Sequence, residues 1–289
     1  MSQEFGNHMP AADLPIRSGE PVRLSGQLWR LTCGNAGVMT GPGTNSYLID
    51  AADGWTLIDP GPMDADHLRG LRALAAAPIR RILVTHTHPD HSPGAAALRQ
   101  QTGAKLLGRP SAHARGQDTT FVPDRELADG ERIELGPDMT LRVIHTPGHA
   151  SNHLCYLLEP QQVLFTGDHI IQGSTVVIDP PDGDMAHYLA SLERLLGENL
   201  VALAPGHGTL IRRPHEALRA LIAHRLRREA RVLAALRAGS SADLTALVAQ
   251  VYLDVPTALH PLAARSLLAH LLKLQAEGRA HSHQGYWSG

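Results

Sequence analysis

Thr85-His86-Thr87-His88-Pro89-Asp90-His91 packs three imidazoles and a carboxylate into the six residues from His86 onward, directly after the apolar, strand-like run at 81–84. At the end of a strand, His86 and His88 alternate in step and can aim two ring nitrogens at one point. Asp90 and His91 fall on the turn beyond it and can reach a second point a few ångströms away. A lone histidine pair is usually structural or surface decoration. Three histidines and an aspartate this close on a loop point to a metal, because neutral imidazole and carboxylate are the common ligands of zinc where no thiolate is present.

A divalent ion wants about four ligands, and the rest of the chain offers them in a repeated pattern. The strand-like run at 141–144 leads into His145-Thr146-Pro147-Gly148-His149, the run at 162–166 into Gly167-Asp168-His169, and the run at 200–204 into Pro205-Gly206-His207-Gly208. Each is a short apolar strand, a Gly or Pro at its end, then a ligand-type residue. A sheet built this way presents side chains at one rim, where binding groups usually sit.

The ordered set His86, His88, Asp90, His91, His149, Asp168 and His207 resembles the metallo-β-lactamase superfamily over roughly residues 20–211. The resemblance implies two metal ions, zinc first with manganese or iron allowed by the ligand set. His86, His88 and His149 would hold one ion, Asp90, His91 and His207 the other, and Asp168 would bridge them. Asp59, in Thr56-Leu57-Ile58-Asp59-Pro60-Gly61, resembles the family's early aspartate, which orients a ligand imidazole. Asp168 stands where the commonest zinc β-lactamases place a cysteine, and Cys33 and Cys155 fall outside the motifs. Thr87 stands where the family's di-iron flavoproteins carry an acid, and the intact second ligand set argues for hydrolysis over the iron dioxygenases. The segments Gly43-Thr44-Asn45-Ser46-Tyr47-Leu48 and Gly173-Ser174-Thr175-Val176-Val177 resemble the lactamase-like 2 branch, which carries a C-terminal winged helix. The implied fold is α+β, a four-layer αββα sandwich followed by a small, mostly helical winged-helix domain.

At 289 residues the chain can bury a full core, and 43% hydrophobic with 19% charged residues fits a soluble globular protein. Residues 1–20 lack an apolar signal core, no run approaches a membrane span, and two cysteines give no disulfide framework, so a cytoplasmic protein is expected. Of the eighteen histidines most cannot be ligands, and His8, His67, His113 and those after His207 are expected to be exposed.

Charge divides the chain. Residues 212–289 hold eleven Lys and Arg against five Asp and Glu, a net +6, which leaves residues 1–211 at −8. Apolar residues at helical spacing (Leu218, Leu221, Ile222, Leu226, Val232, Leu233) predict a helix over 216–237. Ser240-Ser241-Ala242-Asp243 signals the N-cap of a shorter helix through Leu247 and Val251, and 261–277 predicts a third, stopped by Gly278. Residues 279–287 suggest a hairpin wing. The expected organisation is an N-terminal segment at 1–19, a catalytic domain at 20–211 and a winged-helix-like domain at 212–289. Strands are expected over 22–32, 46–50 and 55–59, with helices over 66–76, 94–102 and 188–196.

Two Zn²⁺ with Asp90, Asp168 and a shared hydroxide carry a net +1, which favours an anionic or polarised substrate oxygen. Zinc lowers the pKa of bound water to about 7, so hydroxide is the expected nucleophile, with Asp90 handling its proton. His153 can either reach substrate or pack locally, and Ser174, Thr175 and Tyr188 either line the pocket or serve core and turn roles. The first reading of function is an ester or thioester hydrolase for a small or acyl substrate. The second is an endoribonuclease for single-stranded RNA, favoured by the basic tail but disfavoured by its few aromatics, Tyr252, Tyr286 and Trp287. Against it too, Arg219, Arg225, Arg227, Arg228 and Arg231 can form the solvated face of a long helix. The third is a non-catalytic winged-helix binder of nucleic acid or protein. Expected partners are thus a small-molecule ester or thioester, with RNA and a homodimer mate as alternatives.

Overall fold

A computed structural model describes residues 15–239 and 241–289. His8 and Ser240, and most of the expected segment at 1–19, lie outside the described residues. The strands are β1 (Val22–Arg23), β2 (Leu28–Thr32), β3 (Asn45–Ala51), β4 (Gly54–Ile58), β5 (Ile79–Leu83), β6 (Lys105–Gly108), β7 (Arg125–Glu126), β8 (Arg132–Gly136), β9 (Met139–His145), β10 (Leu154–Leu158), β11 (Val163–Gly167), β12 (Ala202–Pro205), β13 (Ala242–Asp243), β14 (His281–His283) and β15 (Tyr286–Ser288). The helices are α1 (Ala65–Leu74), α2 (Gly94–Thr102), α3 (Met185–Leu195), α4 (Pro214–Ala238), α5 (Leu244–Val251) and α6 (His260–Ala276).

The chain divides into two compact units. Among the described residues, the first comprises 15–145, Asn152–Ser174 and Asn199–Pro214; the second comprises Thr146–Ser151, Thr175–Glu198, 215–239 and 241–289. In the first, β1 to β7 form a seven-stranded mixed sheet in chain order, and β12-β11-β10-β9-β8 form a five-stranded one. Alternation along the strands explains how they stack. Tyr47, Ile49, Ile58 and Leu83 of the first sheet join Leu141, Val143, Tyr156 and Phe165 of the second in one core. Leu48, Leu57, Ile82 and Val84, one residue out of step, turn to the other face and meet Leu68 and Leu71 of α1 and Leu98 of α2. The period-two pattern therefore buries the first sheet on both faces. Each fully buried Leu, Ile or Phe contributes roughly 1.5–3 kcal/mol, and Tyr156 keeps its burial favourable by donating its hydroxyl to Val84 O at 2.6 Å.

These contacts also bring strand ends to a common rim. Leu154 N donates to Thr85 O at 2.7 Å, Gly206 N to Gly167 O at 2.8 Å and Asn45 N to Gly206 O at 2.7 Å. The ends of β3, β5, β10, β11 and β12 are thereby pinned together, and the loops that follow β5, β11 and β12 start from fixed points.

In the second unit, α4, α5 and α6 enclose Val232, Leu233, Leu236, Leu247, Val251, Leu267, Leu271, Leu274 and Trp287. The wing is a two-residue hairpin: His283 pairs with Tyr286, and Gln284 and Gly285 both take positive φ, 49° and 84°, which matches the twist of the flanking strands. Strand β13 pairs with β15 on its other side.

Burial corrects part of the sequence reading. Leu226 is 47% exposed, while Arg225 and Arg228 are buried at 4% and 5%. The buried face of α4 thus includes two guanidiniums, because each finds partners: Arg225 donates to Val176 O, and Arg228 forks onto Asp254 and Val251 O. Two of the five arginines expected on a solvated face are therefore internal. His67 and His270, expected to be exposed, are also buried; His67 is accommodated by Ser46 Oγ at 2.8 Å. Among the described residues no helix is long and apolar enough to cross a membrane. Cys33 and Cys155 are buried and unbridged.

Candidate metal centre

His86 and His88 emerge one residue apart just past β5, with His86 Nε2 facing His88 Nδ1 at 2.9 Å. Thr85 decides which His86 nitrogen faces that point. Its hydroxyl proton goes to Asp59 Oδ2 at 2.7 Å, so toward His86 Nδ1, 3.0 Å away, it accepts. Nδ1 then carries the ring proton and Nε2 presents its lone pair.

Asp90, His91, Asp168 and His207 form a second group, with one ligand atom from each lying within 4.8 Å of the others. Two come from the loop after β5, one from the end of β11 and one from the end of β12. His91 is fully buried, and its Nδ1 donates to Asp59 Oδ2 at 2.9 Å. His207 is held by donation from Nδ1 to Gly43 O at 3.2 Å. Both rings therefore turn Nε2 inward. His91 Nε2 lies 3.5 Å from Asp90 Oδ2 and 3.3 Å from Asp168 Oδ1. His207 Nε2 lies 3.2 Å from each of the same two oxygens.

The donor spacing fits a divalent ion. Ligands bound tetrahedrally at about 2.0–2.1 Å stand about 3.3 Å from one another, and all four imidazole–carboxylate separations fall within 0.2 Å of that. His91 Nε2 and His207 Nε2 are also buried without a hydrogen-bond partner, a costly state that a metal ion relieves. Space is reserved here as well: a Cβ on Gly206 would stand 2.7 Å from His91 Cε1 and 2.8 Å from Asp168 Oδ1, so only glycine lets the chain pass.

Electrostatics lead to the same conclusion. Burial opposes charge on all four groups, yet their mutual attraction wins. Burial notwithstanding, Asp90 and Asp168 hold His91 well above the usual imidazole value, and Asp168 pushes His207 up to about 10. Against the same penalty, His91 and His207 hold Asp90 below and Asp168 well below the ordinary carboxylate value. Positive charge is thus favoured beside the two carboxylates, and a divalent ion would supply it.

Asp59 is the group on which this geometry turns. It is 2% exposed and accepts from Thr85 N at 2.7 Å, Thr85 Oγ1 and His91 Nδ1. It takes φ of +51°, a left-handed conformation that Asp and Asn tolerate better than other side chains.

His149 lies in the second unit, in Thr146–Ser151. Its Nδ1 donates to Val177 O at 2.8 Å, which puts the ring's lone pair on Nε2. His153 is fully buried, its ring stacked on that of His86 with centroids 5.0 Å apart. Ser174 is exposed and Thr175 half-buried. Tyr188 is fully buried, its ring 5.2 Å from the guanidinium of Arg225.

Three contributors escaped the sequence reading. Thr85 links Asp59 to His86 and was signalled only by its position before His86. Asn45 holds the His207 turn by donating to Pro205 O at 2.9 Å and Gly208 O at 2.8 Å. Thr44 Oγ1 reaches Asp90 Oδ2 at 3.5 Å. Asn45 and Thr44 sit inside a segment quoted above for its resemblance, but their partners lie 46 to 163 residues away.

Comparison with known proteins agrees with this architecture. Residues 39–207 match the family described as the metallo-beta-lactamase superfamily, and residues 244–287 match the beta-lactamase associated winged helix domain. The chain is 32% identical over 274 residues to the beta-lactamase-like protein 2 homolog of Drosophila melanogaster, covering 89% of this chain and 91% of that protein. It is 32% identical over 221 residues to an atrochrysone carboxyl ACP thioesterase of Aspergillus chevalieri, covering 74% of this chain and 67% of that one. A crystal structure of a beta-lactamase domain protein from Burkholderia ambifaria superposes with a TM-score of 0.79 at 22% identity, covering 99% and 96% of the two chains. That last likeness is one of fold.

Proposed function

The chain belongs to the metallo-beta-lactamase superfamily, and from that premise we propose that it hydrolyses an ester or thioester of a small or carrier-bound acyl substrate, using two divalent metal ions, zinc first. The observation that carries the proposal is the buried group of Asp90, His91, Asp168 and His207, whose donor separations match a divalent ion. In the proposal His86, His88 and His149 hold the other ion and Asp168 bridges the two. When bound, the ions would supply hydroxide at neutral pH and Lewis-acid stabilisation of the developing oxyanion.

The chain's own residues then have distinct tasks. Asp59 keeps the proton of His91 on Nδ1 and its lone pair inward. Gly43 O does the same for His207, Thr85 for His86 and Val177 O for His149. Asp90 is 25% exposed through its side chain, more than Asp168 at 12%, which supports Asp90 as the carboxylate that handles the proton. The packing of His153 against His86 supports a role in holding that ring. The substrate class is supported by the similarity to a thioesterase.

Arg219, Arg227 and Arg237 stay exposed in favour of the ribonuclease reading, but part of the basic charge behind it is engaged elsewhere. Arg225 and Arg228 are buried, Arg231 pairs with Asp254, and Lys273 and Arg279 pair with Glu229 and Glu277. Those guanidinium and ammonium groups are engaged within the unit rather than offered to phosphates. The test is a panel on the purified chain loaded with Zn²⁺ or Mn²⁺: acyl thioesters, esters and single-stranded RNA, each repeated with chelator and with Asp90→Asn. Chelator-sensitive acyl hydrolysis that Asp90→Asn abolishes is expected. RNA cleavage with inert acyl substrates reverses the ranking, and nucleic-acid binding without any turnover supports a non-catalytic role.

A further inference from the structure

The second unit contains a closed set of contacts that ends on His149. The residue before it, Gly148, has φ +139°, and a Cβ there would stand 2.3 Å from Tyr188 Cα. Asp184 N donates to Gly148 O at 2.8 Å, so the loop is pressed against the start of α3. The imidazole itself donates from Nδ1 to Val177 O. A single carbonyl orients this ring only as well as that carbonyl is itself held.

The neighbours of Val177 show how it is held. Arg225 of α4 donates from Nη2 to Val176 O at 2.5 Å. Ile178 N donates to Ser266 Oγ of α6 at 3.1 Å. Alternate backbone groups go to opposite partners, as in an extended chain: Val177 O faces His149, while Val176 O and Ile178 N face the C-terminal helices. All the anchoring groups are buried: Arg225 4%, Ser266 6%, Val176 5% and Ile178 0% exposed. Arg225 is fixed in turn by its position over the Tyr188 ring, the residue that packs on Gly148. A buried guanidinium and a buried hydroxyl from two helices converge on one three-residue segment, and the Val177 carbonyl in its middle accepts from His149.

We infer that Arg225 and Ser266 are positioning residues for His149: the C-terminal helices set the direction of this imidazole through the peptide segment 176–178. The inference rests on the reading of His149 as a metal ligand, and it assigns the winged-helix region a part in metal retention. Groups that orient a metal-bound histidine typically change affinity by ten- to a hundredfold when removed.

The test is a stepwise Zn²⁺ titration of the full chain against a chromophoric chelator, with folding checked by circular dichroism. The step lost in His88→Ala identifies the ion that His149 helps to hold. Ser266→Ala and Arg225→Met should weaken that step about tenfold or more and leave the other within twofold, while Ser266→Thr and Arg225→Lys restore it in part. If Arg225→Met does not fold, Ser266→Ala decides the matter, since it removes one hydroxyl. Wild-type affinity for both ions in the folded variants, or equal weakening of both steps, overturns the inference. A wild-type chain that binds no metal overturns the hydrolase reading beneath it, an outcome distinct from the other two.

Discussion

Replacing Asp59 by asparagine keeps the size of the side chain and its tolerance of φ +51°, so the substitution changes hydrogen bonding with little backbone cost. The carboxylate accepts three hydrogen bonds; an amide oxygen in place of Oδ1 can keep Thr85 N, which leaves an NH₂ group facing Thr85 Oγ1 and His91 Nδ1. Thr85 can rotate to accept. His91 cannot accept on Nδ1 without moving its proton to Nε2, the atom 3.3 Å from Asp168 and 3.5 Å from Asp90. A lone pair aimed at the metal position becomes a proton aimed at it. A ten- to hundredfold loss of affinity for the ion held by Asp90, His91 and His207, about 1.4–2.7 kcal/mol, follows. Competition titration with Zn²⁺ measures it. Unchanged affinity for both ions in a folded Asp59→Asn protein would refute the claim that this carboxylate fixes the tautomer of His91.

Other substitutions probe separate parts of the same account. Gly206→Ala would place a methyl group 2.7 Å from His91 Cε1 and should cut metal content to below half of wild type in elemental analysis while the chain still folds; full occupancy contradicts the tight passage. Glu229 is buried between Lys273, 2.9 Å away, and Arg279, 3.2 Å away. Burial opposes its charge, but His270, Lys273 and Arg279 surround it, and its carboxyl is held at about 2. Because the folded value lies below the unfolded one, its stabilisation is fully present above about pH 4.5 and is lost as pH falls through about 2, on the order of 2–3 kcal/mol. Acid unfolding curves of Glu229→Gln should lack that component, and parallel curves for variant and wild type would sink the assignment. Arg228→Met should remove the fork onto Asp254 and leave Val251 O unpaired, costing roughly 2–4 kcal/mol in urea unfolding; a neutral result would mean that the buried guanidinium is not structural.

Residue type and local spacing were enough to name the metal-ligating candidates, because the strand-then-turn pattern repeats at each of them and is written within a few residues. The helices of the C-terminal region were legible for the same reason: their caps and apolar periods are local. The helix over 214–238 shows the limit of that reading. Periodicity assigned Leu226 to the buried face and left Arg225 and Arg228 to solvent, whereas the reverse holds, since guanidiniums can be buried only where Val176 O, Val251 O and Asp254 meet them. Those partners are 23 to 49 residues distant, and no local pattern encodes them.

The amino-acid sequence by itself determined the chemistry on offer: imidazoles and carboxylates placed after strands, with glycines where the backbone must pass close by. Only the tertiary structure decided which nitrogen each ring presents, because a tautomer is chosen by the acceptor on its other side. Asp59, Thr85, Gly43 O and Val177 O reach their rings through strand pairing and loop packing, which fix distances between residues far apart in the chain.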